Sequence, residues 1–209
     1  MDDATSGATT ELLVIRHGQS TWNQEKRWQG QADPPLSDHG RQQAFIAAQS
    51  VGQVDVIVSS PQARAAQTAG IIAEQIGVGP VQLLDGLEER GAGEWSGLTR
   101  EEIDTRWPGW VDSENRPNGW EYDDVFVPRV MGAITRVADE FAGATALVVC
   151  HGGVIIAIER ELGVSDGRIP NLHGRVVRRV GDELVGGDRL ELIPTEMRTG
   201  GTGRDTRRI

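Results

Sequence analysis

Two apolar runs in this chain stop in the same way. Leu12-Leu13-Val14-Ile15 runs into Arg16-His17-Gly18, and Leu147-Val148-Val149-Cys150 runs into His151-Gly152-Gly153. Short apolar runs cut off by glycine read as buried strands feeding loops. In open α/β sheets, ligands sit beyond the carboxyl ends of the strands. Two such strands side by side in a parallel sheet would bring two imidazoles to one edge. Arg16 adds a permanent, fork-shaped cation, and His17 a nitrogen nucleophile that titrates near neutrality. Gly18 lets the backbone turn sharply and a ligand come close. Ser20 and Asn23 supply neutral hydrogen-bonding groups nearby. The set suits a small oxyanion, most simply a phosphoryl group.

The intervening chain supports an α/β sheet with helices on its faces. Residues 1–10 read as a flexible lead, 11–194 as one domain, and 195–209 as a loose, Thr-, Gly- and Arg-rich tail. A strand over 11–16 is followed by a long loop, 18–36. Ser37 is placed to N-cap a helix to about Val51, with Ala44, Ala48 and Val51 on one face and Phe45 beside them. Val54 to Val58 is a second strand, Pro61 opens a helix to about Ile76, and Val81 to Leu84 is a third strand. This β-α-β-α-β order with short links predicts helices packed on a sheet. A glycine-rich loop, Glu88 to Trp95, leads to a capping box at Thr99 and Glu102 and a helix to about Trp107. Residues 99–122 are read as the lid or loop region of the domain. A long helix spans about Asp123 to Phe141, and Pro128 argues for a start nearer Val127. After the strand Ala146 to Cys150 comes an apolar helix, Val154 to Leu162. Val176 to Val180 and Arg189 to Ile193 read as a final strand pair around Gly181-Asp182 and Gly186-Gly187.

Composition excludes several classes. The formal net charge of −10 argues against binding nucleic acid or an anionic membrane through a general basic surface. Cys150 is the sole cysteine, so no intramolecular disulfide or multi-Cys metal site can form. That fits a reducing, cytoplasmic setting. Met1 to Thr10 lacks the features of a signal peptide, and no apolar run approaches the ~20 residues of a membrane span. No dense carboxylate cluster suggests a metal cage.

Arg64 lies one turn beyond Pro61, at a helix start that favours an anion. Glu89 sits in the loop after the third strand. Two Arg, two His and one Glu thus fall at the ends of successive strands. In sequence, Arg16-His17-Gly18-Gln19-Ser20-Thr21-Trp22-Asn23 resembles the signature of the histidine phosphatase superfamily, in its phosphoglycerate mutase-like branch. Leu36 to Ala44 resembles the family's next helix motif, and Ser59 to Ala69 its second-arginine motif. Leu87 to Leu98 resembles the acid loop, and Val149-Cys150-His151-Gly152-Gly153 the second-histidine motif. The motifs run in family order over about residues 12–153.

The resemblance implies a three-layer α/β/α sandwich with a mostly parallel central sheet. It implies that His17 attacks phosphorus and carries the phosphoryl group covalently. Arg16, Arg64 and His151 would hold the phosphoryl oxygens, with Asn23, Gly18, Ser20, Gly30 and Gly152 in the same pocket. Glu89, six residues before Trp95 as in the family, would be general acid and then general base, in preference to Glu88. No metal or other cofactor is expected. The partner is a small-molecule phosphomonoester, and the chain would be a monomer or homodimer. The acid loop reads Glu89-Arg90-Gly91-Ala92-Gly93 where mutases typically have Glu-Arg-His-Tyr-Gly. This, with no basic, proline-rich segment after it, favours transfer to water. The alternative is a mutase-type phosphoryl transferase, and after it a non-catalytic phospho-ligand binding module. Gly119-Trp120-Glu121-Tyr122 replaces the family's Gly-Glu-Ser turn, so the substrate is not carried over. A sugar phosphate or larger organic phosphate would suit a pocket with several tryptophans. Trp95 is expected to pack under the acid loop, and Trp107, Trp110 and Trp120 to belong to core or lid. His173 is placed where it could reach the pocket, though a structural role is favoured. His39 and the tail arginines are expected at the surface.

Overall fold

The computed structural model describes residues 9–198. Six strands form one sheet: β1 (Thr10–Arg16), β2 (Val56–Ser59), β3 (Gln82–Leu83), β4 (Thr145–Cys150), β5 (His173–Val180) and β6 (Glu183–Glu191). The helices are α1 (Thr21–Gln24), α2 (Asp38–Ala47), α3 (Ala63–Ile76), α4 (Arg100–Arg106), α5 (Asp123–Glu140) and α6 (Gly152–Glu161). The strand order is β3-β2-β4-β1-β5-β6. β3, β2, β4 and β1 run parallel, while β5 and β6 run antiparallel at the edge. The expected mostly parallel sheet with helices on both faces is the observed architecture.

Alternation along β1 makes the layers. Leu12 and Val14 pack with Phe126, Val130 and Ile134 of α5 and Val154, Ile155 and Ile158 of α6. Leu13 and Ile15 face the other way, against Ala47 of α2 and Ala65, Ala69 and Ile72 of α3. A period-2 strand buried on both faces has few positions for polar side chains, which is why the run is continuously apolar. A third, smaller core gathers Ala92, Trp95, Ile103, Val111 and Trp120, with Trp28, Trp107 and Trp110 at its margin. Trp95 thus packs under the acid loop, as expected.

Several local expectations are corrected. The lead ends earlier than residue 10: buried Thr10 pairs with Arg179 in the sheet, and its Oγ1 accepts from Gly143 N (2.9 Å). Residues 1–8 and 199–209 lie outside the described residues. Of the tail expected to be loose, Thr195–Met197 forms a 3-10 turn, and Met197 O accepts from Gln43 Nε2 (2.9 Å). The loop 18–36 contains α1, because Ser20 and Asn23 form a reciprocal capping box. α2 stops at Ala47, short of Val51, and Phe45 is exposed. α5 starts at Asp123, as the helix bounds predict, and Pro128 lies inside it instead of moving the start to Val127. The turn before the proline is held from outside, by Asp123 on Arg90 (2.6 Å) and by buried Phe126 under the Arg90 guanidinium (4.1 Å). Those contacts outweigh the missing N–H. The last strand pair is longer than expected, since Gly186-Gly187 sits within β6 at an irregularity of the ladder rather than ending it.

Glycines fix the approach of the first loop to α2. A Cβ on Gly40 would collide with Gln19 O, whereas Gly70 inside α3 faces open space. Gly40→Ala is expected to cost about 3 kcal/mol or more through backbone displacement. Gly70→Ala is expected to gain about 0.5–1 kcal/mol from helix propensity. Equilibrium urea unfolding of the two variants checks both signs.

Candidate active site

β1 and β4 pair in parallel with Arg16 level with Cys150, and His17 N–H donates to Cys150 O (3.0 Å). His17 and His151 therefore leave the sheet edge together, their ring centroids 5.2 Å apart. They are 1% and 0% exposed. Arg64, fully buried, enters from the first turn of α3. Its NH1 donates to Ala32 O (2.8 Å) and its NH2 to Gly30 O (2.9 Å). Arg16 NH1 donates to Ile169 O (2.8 Å).

Three polar atoms of this cluster remain buried without a partner among the described residues: Arg16 Nε, Arg64 Nε and His151 Nδ1. Each unmet buried donor costs about 1–3 kcal/mol. Their concentration around one imidazole marks a place where an anion would repay the cost. α6 opens at the same spot, and the first amides of a helix, here Gly152 and Gly153, have no intrahelical acceptor.

The protonation of both imidazoles follows from their partners. His17 Nδ1 lies 2.6 Å from Gly18 O, an obligate acceptor, so Nδ1 carries the proton and Nε2 keeps its lone pair. Burial, then Arg64 and Arg16, push the His17 pKa well below 6.5. Burial, then Arg64, His17 and Arg16, do the same to His151. His151 Nε2 lies 2.9 Å from Ser60 Oγ, which also accepts from Gln62 N (3.3 Å). With the serine proton on Nε2, His151 Nδ1 is the N–H donor. Burial lowers Arg16 and Arg64 to about 10, so both stay cationic near neutral pH.

Glu89 is the carboxylate that acts on both Arg16 and Arg64, and Asp33 acts on Arg64 as well. Glu89 Oε1 accepts from Arg90 N (2.9 Å) and Oε2 from Gly153 N (3.2 Å). A Cβ on Gly153 would collide with Glu89 Oε1, so glycine there lets the acid close on α6. Glu88 turns away, accepting from Gly86 N (2.7 Å) and facing Arg129 (3.5 Å). A cavity of about 390 Å³ opens above, with Arg16, Gly30, Glu89, Gly152, Gly153, Trp28 and Trp120 in its walls.

The other sequence-derived residues separate into those at the site and those that build it. Asn23 Oδ1 accepts from Ser20 N (3.2 Å) and Asn171 Nδ2 (3.5 Å), which leaves its Nδ2 as the remaining donor. Ser20 is fully buried, and its hydroxyl accepts from Asn23 N and donates to Gln29 Oε1, so it caps α1. Gly18 N–H is likewise taken by Thr68 Oγ1 (3.0 Å). Gly30 serves through its carbonyl, which anchors Arg64. His173 is buried on Asn171 O (2.9 Å) and lies outside the cavity lining. His39 is half-buried on Met197 O. Trp28 and Trp120 line the cavity, whereas Trp95, Trp107 and Trp110 do not. Tyr122 takes the N-cap position of α5 without a side-chain cap and is exposed.

Sequence reasoning missed four positioning groups. Ser60 sets the His151 tautomer. Gln62 accepts from Glu89 N (2.8 Å) and donates to Gly30 O (3.2 Å), joining the acid loop to the Arg64 anchor. Thr68 holds Gly18, and Asn171 Nδ2 donates to His17 O (2.8 Å). Only Ser60, at the mouth of a strand before Pro61, carried a positional signal.

The chain matches the model of the histidine phosphatase superfamily (branch 1) over residues 12–176 and belongs to that family. It is 37% identical over 155 residues to phosphoglycerate mutase-like protein 4 of Arabidopsis thaliana, covering 69% of this chain and 67% of that protein. It is 36% identical over 165 residues to glucosyl-3-phosphoglycerate phosphatase of Mycolicibacterium vanbaalenii, covering 72% and 73%. A solved mycobacterial glucosyl-3-phosphoglycerate phosphatase in complex with VO3 superposes with a TM-score of 0.73 at 30% identity, covering 85% of this chain and 96% of that one. The family and its phosphatase-named members support phosphatase activity. Among the described residues no helix is long and apolar enough to cross a membrane, and no cluster of three His, Cys, Asp or Glu is placed to hold a metal ion.

The two neutral imidazoles make stability depend on pH. Unfolding restores each pKa toward 6.5, so below that value the unfolded chain binds more protons and stability falls as pH drops. His151→Gln is expected to flatten the slope of unfolding free energy below pH 6.5 by up to about 1.4 kcal/mol per pH unit. Urea titrations of wild type and variant between about pH 5 and 6.5 measure it.

Proposed function

We propose that the chain is a metal-independent phosphomonoesterase that hydrolyses small organic phosphates through a phosphohistidine on His17. The observation that carries this reading is the set of unmet donors, Arg16 Nε, Arg64 Nε and His151 Nδ1, around a neutral imidazole with a free Nε2. A phosphoryl group in their midst satisfies all three, and the two guanidinium charges stabilise the oxygens of the transition state. His17 Nε2 attacks phosphorus as the P–O bond to the alcohol breaks. Glu89 gives its proton to the departing oxygen. The resulting carboxylate then takes a proton from water, whose oxygen attacks phosphorus and releases inorganic phosphate and neutral His17. Asn23 Nδ2 and the Gly152 amide add donors to the same group.

The cavity holds far more than a phosphate, within the ~300–1,000 Å³ common for small-ligand sites. Trp28 and Trp120 give it an aromatic wall that suits a sugar or larger organic group. The relatives named glucosyl-3-phosphoglycerate phosphatase make sugar-bearing phosphates the first to assay. The single cysteine supports work in the cytoplasm.

Hydrolysis of a chromogenic phosphomonoester tests the chemistry. His17→Ala is expected to lower kcat by at least about 10³-fold, and Glu89→Gln by about 10²–10⁴-fold. EDTA is expected to leave the rate unchanged. Turnover persisting in His17→Ala sinks the covalent route. Isomerisation of phosphoglycerate faster than phosphate release would replace the hydrolase by a mutase.

A further inference from the structure

The loop that carries Glu89 has little structure of its own. Residues 84–91 contain no helix or strand, and fully buried Leu87 sinks the loop into the core it shares with α5. An apolar anchor sets depth, but burial is non-directional and leaves the backbone around it free to rotate. Direction comes from two side chains, Arg129 of α5 and Glu121 just before that helix. Arg129 engages all of its guanidinium N–H groups. Nε and NH2 grip the Glu121 carboxylate (2.9 and 2.8 Å). NH1 donates to Gly86 O and Glu88 O (both 3.0 Å), and NH2 also reaches Glu89 O (3.5 Å). Glu121 continues the hold. Its Oε2 accepts from Gly91 N (2.9 Å), its N–H donates to Gly91 O (3.0 Å), and its carbonyl accepts from Arg90 NH1 (2.9 Å).

The pair therefore takes the backbone on both sides of Glu89, from residue 86 to residue 91. Neither member hydrogen-bonds the Glu89 carboxylate or the donors around His17. Glycine lets the loop close on the pair: a Cβ on Gly86 would crowd Ala133 of α5 (2.9 Å), and one on Gly91 would press on Glu121 Cβ (3.3 Å). Arg16 and Arg64 each keep an Nε without a partner, as groups do that await a ligand. Arg129 is instead saturated by protein atoms, as a group is whose task is to hold the chain. Carbonyls of an irregular loop would also accept from water, but a planar fork fixes their direction where water does not. That direction matters for an acid, because a misplacement of about 1 Å costs about 10²-fold in rate.

We propose that Arg129 and Glu121 are positioning residues for the acid, their ion pair aiming Glu89 at the oxygen of the departing alcohol through the backbone of the loop. This rests on the reading of Glu89 as general acid and His17 as nucleophile. The pair then matters where a proton must be delivered, and little where the leaving group departs unaided. An alkoxide needs the proton and a nitrophenolate does not.

The test compares kcat/KM for an alkyl phosphate and for para-nitrophenyl phosphate, since kcat/KM reports the steps up to loss of the alcohol. kcat falls with both esters, because breakdown of the phosphohistidine also uses Glu89, as base. Arg129→Met is expected to lower kcat/KM about 10²-fold on the alkyl ester and less than about threefold on the nitrophenyl ester. Glu121→Gln, which keeps the size and removes the charge, is expected to show the same bias at about tenfold. Arg129→Lys keeps the charge without the fork and is expected to restore part of what Arg129→Met loses. The Ki of inorganic phosphate is expected to be unchanged in all three. Equal losses on the two esters, a loss matched by a rise in that Ki, or an unchanged alkyl-ester kcat/KM in both Arg129→Met and Glu121→Gln overturns the proposal. Should Arg129→Met not fold, Glu121→Gln decides alone. Failure of the underlying reading is seen separately: a loss in Glu89→Gln that is equal on the two esters removes the acid, and turnover surviving in His17→Ala removes the nucleophile.

Discussion

One register, Arg16 opposite Cys150, brings both histidines to the same height on the sheet edge. A slip by one residue would move His17 about 3.3 Å along the strand. It would also exchange the two faces of β1, sending Leu12 and Val14 toward α2 and α3 and Leu13 and Ile15 toward α5 and α6. Both layers are packed with side chains of defined shape, so the register is guarded by the whole core. The site thereby takes its precision from apolar residues that never touch a ligand.

That precision is spent on an arrangement that is electrostatically unfavourable when empty. Two buried guanidinium groups and two imidazoles share a small volume; Glu89 offsets both guanidinium groups, and Asp33 acts on Arg64 as well. Other acids stand close and are kept aside. Arg129 holds Glu88 (3.5 Å) and Glu121 (2.8 Å). Burial alone would raise Glu121, but Arg129 and Gly91 N–H hold it below the usual carboxylate range. Were Glu88 to join Glu89, the cluster would approach neutrality and lose its preference for an oxyanion. The adjacent pair Glu88-Glu89 is thus divided between a structural and a site-facing member by where each finds its cation.

The charged site was more legible in the sequence than the scaffold that holds it. Arg16, His17, Arg64 and His151 each stand at the end of a strand or the start of a helix, and Glu89 in the loop after β3. Local pattern reaches that far. It fails where a residue's partner is remote. Ser20 looks like a phosphate contact until Gln29 and Asn23 claim its hydroxyl. Gln62, Thr68 and Asn171 are polar residues whose spacing says nothing, since their partners lie 27, 50 and 154 residues away. Pro128 misleads for the same reason: the contacts that keep a helical turn ahead of it come from Arg90. Gly186-Gly187 reads as a turn because glycine does not announce whether it bends the chain or clears space for Val164.

The two walls of the cavity differ in how freely they can change. Trp120 belongs to the small core that also contains Ala92 and Trp95, and Trp28 packs at its edge. Altering either tryptophan disturbs the packing beneath the loop that carries Glu89, so a change in substrate fit comes with a change in the placement of the acid. The opposite wall, the loop between α6 and β5, is braced from behind by Glu159, Arg175 and Arg189, none of which needs Arg168's side chain. Its charge can be exchanged while the brace and the floor stay in place.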